Sequence, residues 1–173
     1  MRIVHFSDIH LNKYNYNELK DYYINSIINK LKLLNNNKKI DIIVITGDLV
    51  DRGGYSLKEI KTNDGLSSPY QIFQKEFIQP ISSRLDINLN DFLFIPGNHD
   101  VQEDKISWYE EKKIFDFIKL YRNDPPKLNE IFTDKRFEKK KRIELFKDFE
   151  RNFHMSNYNY QFSDYESIYH KEV

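Results

Sequence analysis

Three short stretches of this chain carry residues able to do hydrolytic or metal chemistry: Ser7-Asp8-Ile9-His10, Gly47-Asp48-Leu49-Val50-Asp51 and Gly97-Asn98-His99-Asp100. Asp8 and His10 stand two residues apart, so on an extended turn they project to one side and can share a metal ion. Asp48 follows a glycine, which lets the chain turn sharply and bring a carboxylate against a second cation, a position suited to bridging. Asn98 offers a neutral amide oxygen where carboxylates already crowd two cations. His99 carries an imidazole, the side chain type most often used to exchange a proton with a leaving oxygen. Asp8, His10, Asp48 and Asn98 are therefore the candidate metal ligands, and His99 the candidate catalytic group. Each cluster alone reads as an ordinary polar loop or helix cap. Three in order, each closing an apolar run, do not.

Those apolar runs are the elements that must position the clusters. Arg2 to Phe6 is a β-branched and aromatic run ended by Ser7-Asp8, and Asp41 to Thr46 is a continuous apolar run closed by Gly47, as expected of a strand covered on both faces. Asp91 to Pro96 is the third. Between the first two, Leu19, Tyr23, Ile27, Leu31 and Leu34 recur at helical spacing, predicting an amphipathic helix over Tyr16 to Leu34. Between the second and third, the glycine-bearing stretch Asp51 to Ser68 reads as a loop before a helix near Tyr70 to Leu85, which Pro80 is expected to bend or interrupt. Strand, helix, strand, helix, strand implies right-handed crossovers and a largely parallel sheet: an α/β fold. In such sheets the carboxyl ends of neighbouring strands face a common crevice, which brings the three clusters together.

Beyond Asp100 the texture turns helical and charge-rich, over Ile106 to Leu120 and Arg136 to Phe153, with Asp124-Pro125-Pro126 between them. The tail from Asn157 is a strand pair or an unsettled end. We expect one domain over 1–173, with a motif-bearing core in 1–101, a helical extension in 102–156 and the tail in 157–173.

Lysine plus arginine and aspartate plus glutamate each number 27, so no global field recruits nucleic acid or an anionic membrane. The local run Lys139-Lys140-Lys141-Arg142, with Lys135, Arg136 and Phe137, is a candidate nucleic-acid patch, although Glu138, Glu144, Asp148 and Glu150 interleave with it as on an ordinary solvated helix. The absence of cysteine excludes disulfides, thiolate metal sites and cysteine nucleophiles. Imidazole, carboxylate and amide ligands suit two divalent ions chosen among Mn, Fe, Zn and Ni. Met1 to Phe6 runs straight into a strand without the long apolar stretch of a signal peptide or membrane span, so a cytoplasmic protein with no membrane partner is expected.

With Asp-x-His, Gly-Asp-x-x-Asp and Gly-Asn-His-Asp in this order over Met1 to Val101, the chain resembles the calcineurin-like metallophosphoesterase superfamily. The resemblance implies the amino-terminal half of an αββα sandwich with a mostly parallel sheet and flanking helices. It implies a dinuclear centre that hydrolyses a phosphate mono- or diester, with Asp8 and His10 on the first metal, Asp48 bridging, Asn98 on the second and His99 near the leaving group. Nucleic acids, nucleotides and phosphoproteins are all substrates within that superfamily, and fold does not choose among them.

The sequence departs from the pattern in two ways. Asp51-Arg52-Gly53 is similar to a motif of the serine/threonine phosphatase branch, but the first motif reads Ser-Asp-Ile-His and the third ends in Asp100 instead of glutamate, so that branch is not supported. Arg52 reads equally as a turn residue in solvent or a phosphate contact; Asp51 reads as orienting a neighbour. The family's later histidines have no recognisable counterpart. Of the other histidines, His5 reads as a core or supporting residue and His154 and His170 as surface or packing residues. Two expectations follow: an enzyme whose site is completed by a carboxyl-terminal half or a partner chain, or a non-catalytic module that binds phosphate or metal.

Overall fold

The β-branched and aromatic runs form three strands, β1 (Ile3–Ser7), β2 (Ile42–Thr46) and β3 (Phe92–Ile95). They make a parallel sheet in the order β1-β2-β3, with Phe6 beside Ile45 and Ile45 beside Phe94. The structure, a computed structural model, describes residues 1–60, 65–66, 68–106, 108–127, 142–154, 160–161 and 170–171. Alternation along the strands sends Ile43, Ile45, Phe92 and Phe94 into the core together with the partly buried Val4 and Phe6.

Helix α1 spans residues 16–37, built from Tyr16–Glu18, a wide π-type turn Leu19–Tyr23, and Ile24–Asn37. Its buried line is Leu19, Ile24, Ile28 and Leu31, while Tyr23 and Leu34 are exposed. Sequence spacing puts Tyr23 and Leu34 on the core stripe with Leu19, Ile27 and Leu31; of these, Leu19 and Leu31 are buried and Ile27 packs against the core partly buried. The wide turn adds a residue, so the next core position after Leu19 falls five residues on instead of four. Helix α2, residues 69–85, behaves alike: Pro69–Phe73, a wide turn Gln74–Ile78, then Gln79–Leu85. Pro80 does not interrupt it. The wide turn immediately before the proline accommodates its missing N–H and its ring against the preceding carbonyls. Asp86, left-handed at φ 53°, ends α2, and Ile87 N–H closes onto the Ser82 carbonyl at 3.1 Å.

The stretch expected as a loop after Asp51 contains single helical turns over Arg52–Glu59, with Gly53 and Gly54 at φ 61° and 74°. A Cβ on Gly54 would lie 2.2 Å from the Pro69 Cβ, so only glycine lets this segment meet the start of α2. Helix α3 is Trp108–Tyr121 and α4 is Glu144–Phe153. The expected helix over Arg136 to Phe153 is seen from Glu144; Lys135, Arg136, Phe137, Lys139, Lys140 and Lys141 lie outside the described residues. In the tail, β4 (Tyr160–Gln161) and β5 (His170–Lys171) pair antiparallel.

Helices α1, α2 and α4 pack on one face of the sheet. Phe6 meets Phe77 of α2 edge-on at 5.4 Å, and Phe94 meets Phe149 and Phe153 of α4 at 5.1 and 5.0 Å. The opposite face is less covered: Ile3 and Ile95 are each 49% exposed, and Ile42, Val44 and Leu93 are half-buried. The expectation of β2 covered on both faces is thus corrected, because its odd and even residues see different environments. His5 is corrected with it. It sits exposed on this face, outside the core, its Nε2 2.5 Å from the Thr46 hydroxyl oxygen. His154, by contrast, is buried against Phe94 and Phe153.

Replacing Phe94 by alanine empties the junction of sheet and α4 and is expected to cost about 3–5 kcal/mol. Replacing Leu33, 64% exposed on α1, should change stability by less than about 0.5 kcal/mol. Urea unfolding of the two variants checks both values.

Candidate metal centre

The parallel ladder continues past the strand ends and carries the motif residues with it. Asp8 N–H donates to the Gly47 carbonyl at 3.3 Å, His10 N–H to the Asp48 carbonyl at 2.8 Å and Leu11 N–H to the Leu49 carbonyl at 3.1 Å. On the other side Gly47 N–H donates to the Ile95 carbonyl at 2.7 Å, joining the second strand end to the third. Within this frame Asp8, His10 and Asp48 all adopt left-handed backbone, at φ 55°, 48° and 52°. For residues with a Cβ this costs about 1–2 kcal/mol each, a strain that concentrates at functional sites and that the surrounding ladder must hold in place.

Asp48 is buried at the centre. Its Oδ1 accepts from the backbone N–H of His99 at 2.8 Å, and its Oδ2 lies 3.5 Å from His10 Nε2. The glycine at 97 is what permits this approach. A Cβ there would fall 2.1 Å from Asp48 Oδ1 and 2.5 Å from the Asp48 backbone nitrogen. The His10 and His99 rings meet edge-to-face with centroids 4.6 Å apart. Ligand atoms from His10, Asp48 and His99 all lie within 4.8 Å of one another. Asp8, with its side chain 69% exposed, places Oδ1 4.0 Å from His10 Nε2. Asn98 is exposed on the single turn Asn98–Asp100 that also carries His99.

These side chains fit a divalent cation. The 3.5 Å between His10 Nε2 and Asp48 Oδ2 is longer than a hydrogen bond, and close to the roughly 3.4 Å separating two ligands about 2.1 Å from a common tetrahedral ion. The donor set of imidazole, carboxylate and amide oxygen matches borderline metals. Of the five expected site residues, the structure groups His10, Asp48 and His99, sets Asp8 at their exposed edge, and holds Asn98 on the adjoining turn.

Asp51 accepts from His99 Nδ1 at 2.8 Å. A carboxylate only accepts, so this contact keeps a proton on Nδ1 and leaves the other lone pair of the ring on Nε2. Arg52, left-handed at φ 49°, turns to Glu103, with Nε 3.8 Å from the carboxylate on the exposed surface.

Sequence reasoning missed the role of Asp100 and Tyr70. The Asp100 carboxylate, fully buried, accepts from Leu49 N–H and Val50 N–H at 3.2 Å, from Gly97 N–H at 2.9 Å and from the Tyr70 hydroxyl at 3.2 Å. Burial pushes its carboxyl above the ordinary range against the pull of those donors, and pushes the Tyr70 phenol well above its own. The acidic residue closing the third motif was visible in the sequence. Its partner Tyr70, on a helix some thirty residues earlier, had no local signal.

Gly97→Ala is expected to displace Asp48 and weaken Mn binding at least tenfold in calorimetric titration while the fold persists. Asp100→Ala strands three backbone donors and a phenol, and should cost about 3 kcal/mol of stability, measured by thermal unfolding.

No curated protein matches this chain at a significant level. A profile of the family described as calcineurin-like phosphoesterase matches residues 1–170, continuing well beyond Val101, where the motifs stop. Because that match takes in all three strand ends and the helical segments behind them, this chain belongs to the calcineurin-like phosphoesterase family.

Proposed function

We propose that the chain is a metal-dependent hydrolase of phosphate mono- or diesters, acting through a dinuclear centre at Asp8, His10, Asp48 and Asn98. The observation that carries this is the convergence of His10, Asp48 and His99 at the carboxyl ends of three parallel strands. Asp8 and His10 would hold one ion, Asp48 both, and Asn98 the second. Bound divalent ions supply Lewis acidity, polarising a phosphoryl oxygen and making water a competent nucleophile at neutral pH. The chain's own contribution is placement. Asp48 is held by the His99 N–H on one oxygen, so its other oxygen keeps its aim. His99, oriented by Asp51, gives a proton to the departing alkoxide from Nε2, and Asp51 stabilises the imidazolium needed for that step.

A second reading has its own support. Asp8 lies at the solvent edge of the cluster, and the sheet face bearing Ile3 and Ile95 leaves both residues half-exposed. Both suit a motif-bearing part of one domain over residues 1–173 whose remaining ligands come from a further half or a partner chain, and which on its own binds metal or phosphate without turnover.

Hydrolysis of a chromogenic bis-aryl phosphate and its monoester with added Mn separates the two. The first reading expects turnover, abolished in Asp48→Asn, with two ions bound per chain. Folded protein that binds one ion and turns over neither ester sinks it in favour of the second. His99→Gln should lower kcat about 10²- to 10⁴-fold for an alkyl leaving group, and less for a nitrophenolate, which departs without a proton.

A further inference from the structure

Part of the apolar line along α1 serves something other than the core. Leu19, Tyr23 and Ile27 follow one another at intervals of four residues, and with Phe6 of β1 and Phe77 of α2 they wall a cavity of about 310 Å³. Leu19 and Phe77 are buried, Phe6 and Ile27 half-buried and Tyr23 56% exposed, so the cavity has an apolar floor and Tyr23 stands toward solvent. Both wide π-type turns contribute to it: Leu19 and Tyr23 are the first and last residues of one, and Phe77 belongs to the other. Such turns are frequent at functional sites. Here the extra residue of the first turn gives Ile24 to the core and leaves Tyr23 to the cavity.

The cavity adjoins the candidate metal centre. Its lining is completed by Ser7 and Ile9, which flank Asp8, and by Asn15, whose Nδ2 donates to the His10 carbonyl at 3.0 Å. Its volume lies at the small end of the roughly 300–1,000 Å³ of small-molecule sites. We infer that this cavity receives the organic group of the phosphate ester, and that this group is a hydrocarbon, aryl or alkyl, in preference to a nucleobase. The inference rests on the phosphoesterase reading and names its substrate class. A phosphoryl group held at Asp8 and His10 has its ester substituent beside Ser7 and Ile9, and the chemistry of the walls selects what that substituent is. No charged residue among the described ones lines the cavity, so the further phosphates of a nucleotide would meet no counter-charge there. A base would also bury the donors and acceptors of its edge. The Asn15 amide is engaged at both ends, its Oδ1 accepting from the Asn12 N–H at 2.9 Å and its Nδ2 donating to His10, which leaves chiefly the Ser7 and Tyr23 hydroxyls to meet that edge. Unpaired polar groups cost affinity on burial; a carbon ring or chain gains from the same apolar walls.

Phosphonates, which are not hydrolysed, test the cavity without turnover. Methylphosphonate, naphthylmethylphosphonate and its thymine-bearing counterpart are each titrated calorimetrically into the full chain with Mn. The naphthyl compound is expected to bind at least about tenfold more tightly than methylphosphonate, and more tightly than the thymine compound. Tyr23→Asp, which sets a carboxylate in the exposed wall, should cut the naphthyl preference to less than about threefold and leave methylphosphonate unaffected. Leu33→Ala, exposed on α1 and outside the cavity lining, should change none of the affinities. Circular dichroism verifies that both variants fold. Equal affinity for naphthyl and methyl compounds, or a preference that Tyr23→Asp leaves intact, overturns the inference. So does thymine binding as tightly as naphthyl, which gives the cavity to nucleotides. In each of these cases Mn and methylphosphonate still bind, and the phosphoesterase reading stands. A folded chain that binds neither Mn nor any phosphonate loses that reading and this inference together.

Discussion

The carboxylate of Asp100 accepts from the backbone of Leu49, Val50 and Gly97 and from the hydroxyl of Tyr70, and the geometry of the candidate site rests on that one group. Leu49 and Val50 follow Asp48, and Gly97 precedes Asn98, so a single buried side chain ties the second and third strand ends together from behind. With that tie in place, His99 N–H reaches Asp48 and the His99 ring reaches both Asp51 and His10. Burying a carboxylate is costly, and four donors offset the cost where one or two would not. Tyr70 brings helix α2 into the arrangement, so packing of the core and placement of the ligands are not separable.

Around this clamp the backbone is strained where the chemistry sits. Asp8, His10 and Asp48 are left-handed, and none is glycine. The ladder running from Gly47 to Ile95 on one side and from Asp8 to Leu11 on the other supplies the hydrogen bonds that hold them there. Gly97 plays the complementary part, since its missing side chain is the space Asp48 occupies. Rigid strands thus carry strained ends, an arrangement that presents side chains precisely because the ends have few alternatives.

The sheet is used asymmetrically. One face is filled by aromatic contacts from α2 and α4, while the other leaves Ile3, His5 and Ile95 exposed. In an αββα sandwich such a face lies against a second sheet, and the family match is in keeping with that architecture.

Much of this was legible in the residues. Apolar runs closed by Gly47 and Gly97 located β2 and β3, and the ligand types at each terminus marked out the candidate site, because strand periodicity and donor chemistry are local properties. Helix α1 was legible as a helix but not in its facing, since a wide turn shifts the core line from Tyr23 to Ile24 and no pattern rule encodes that extra residue. The burial of β2 and the position of His5 were misjudged for a related reason. Composition says that a residue is apolar, not whether anything covers it. The sequence alone determined the elements, their order and the chemical character of the three strand ends. Only the tertiary structure decided which ends meet, that Asp51 orients His99, and that Asp100 and Tyr70 brace the site. Contacts such as Tyr70 with Asp100, thirty residues apart, exist only once the strands are paired and the helices packed.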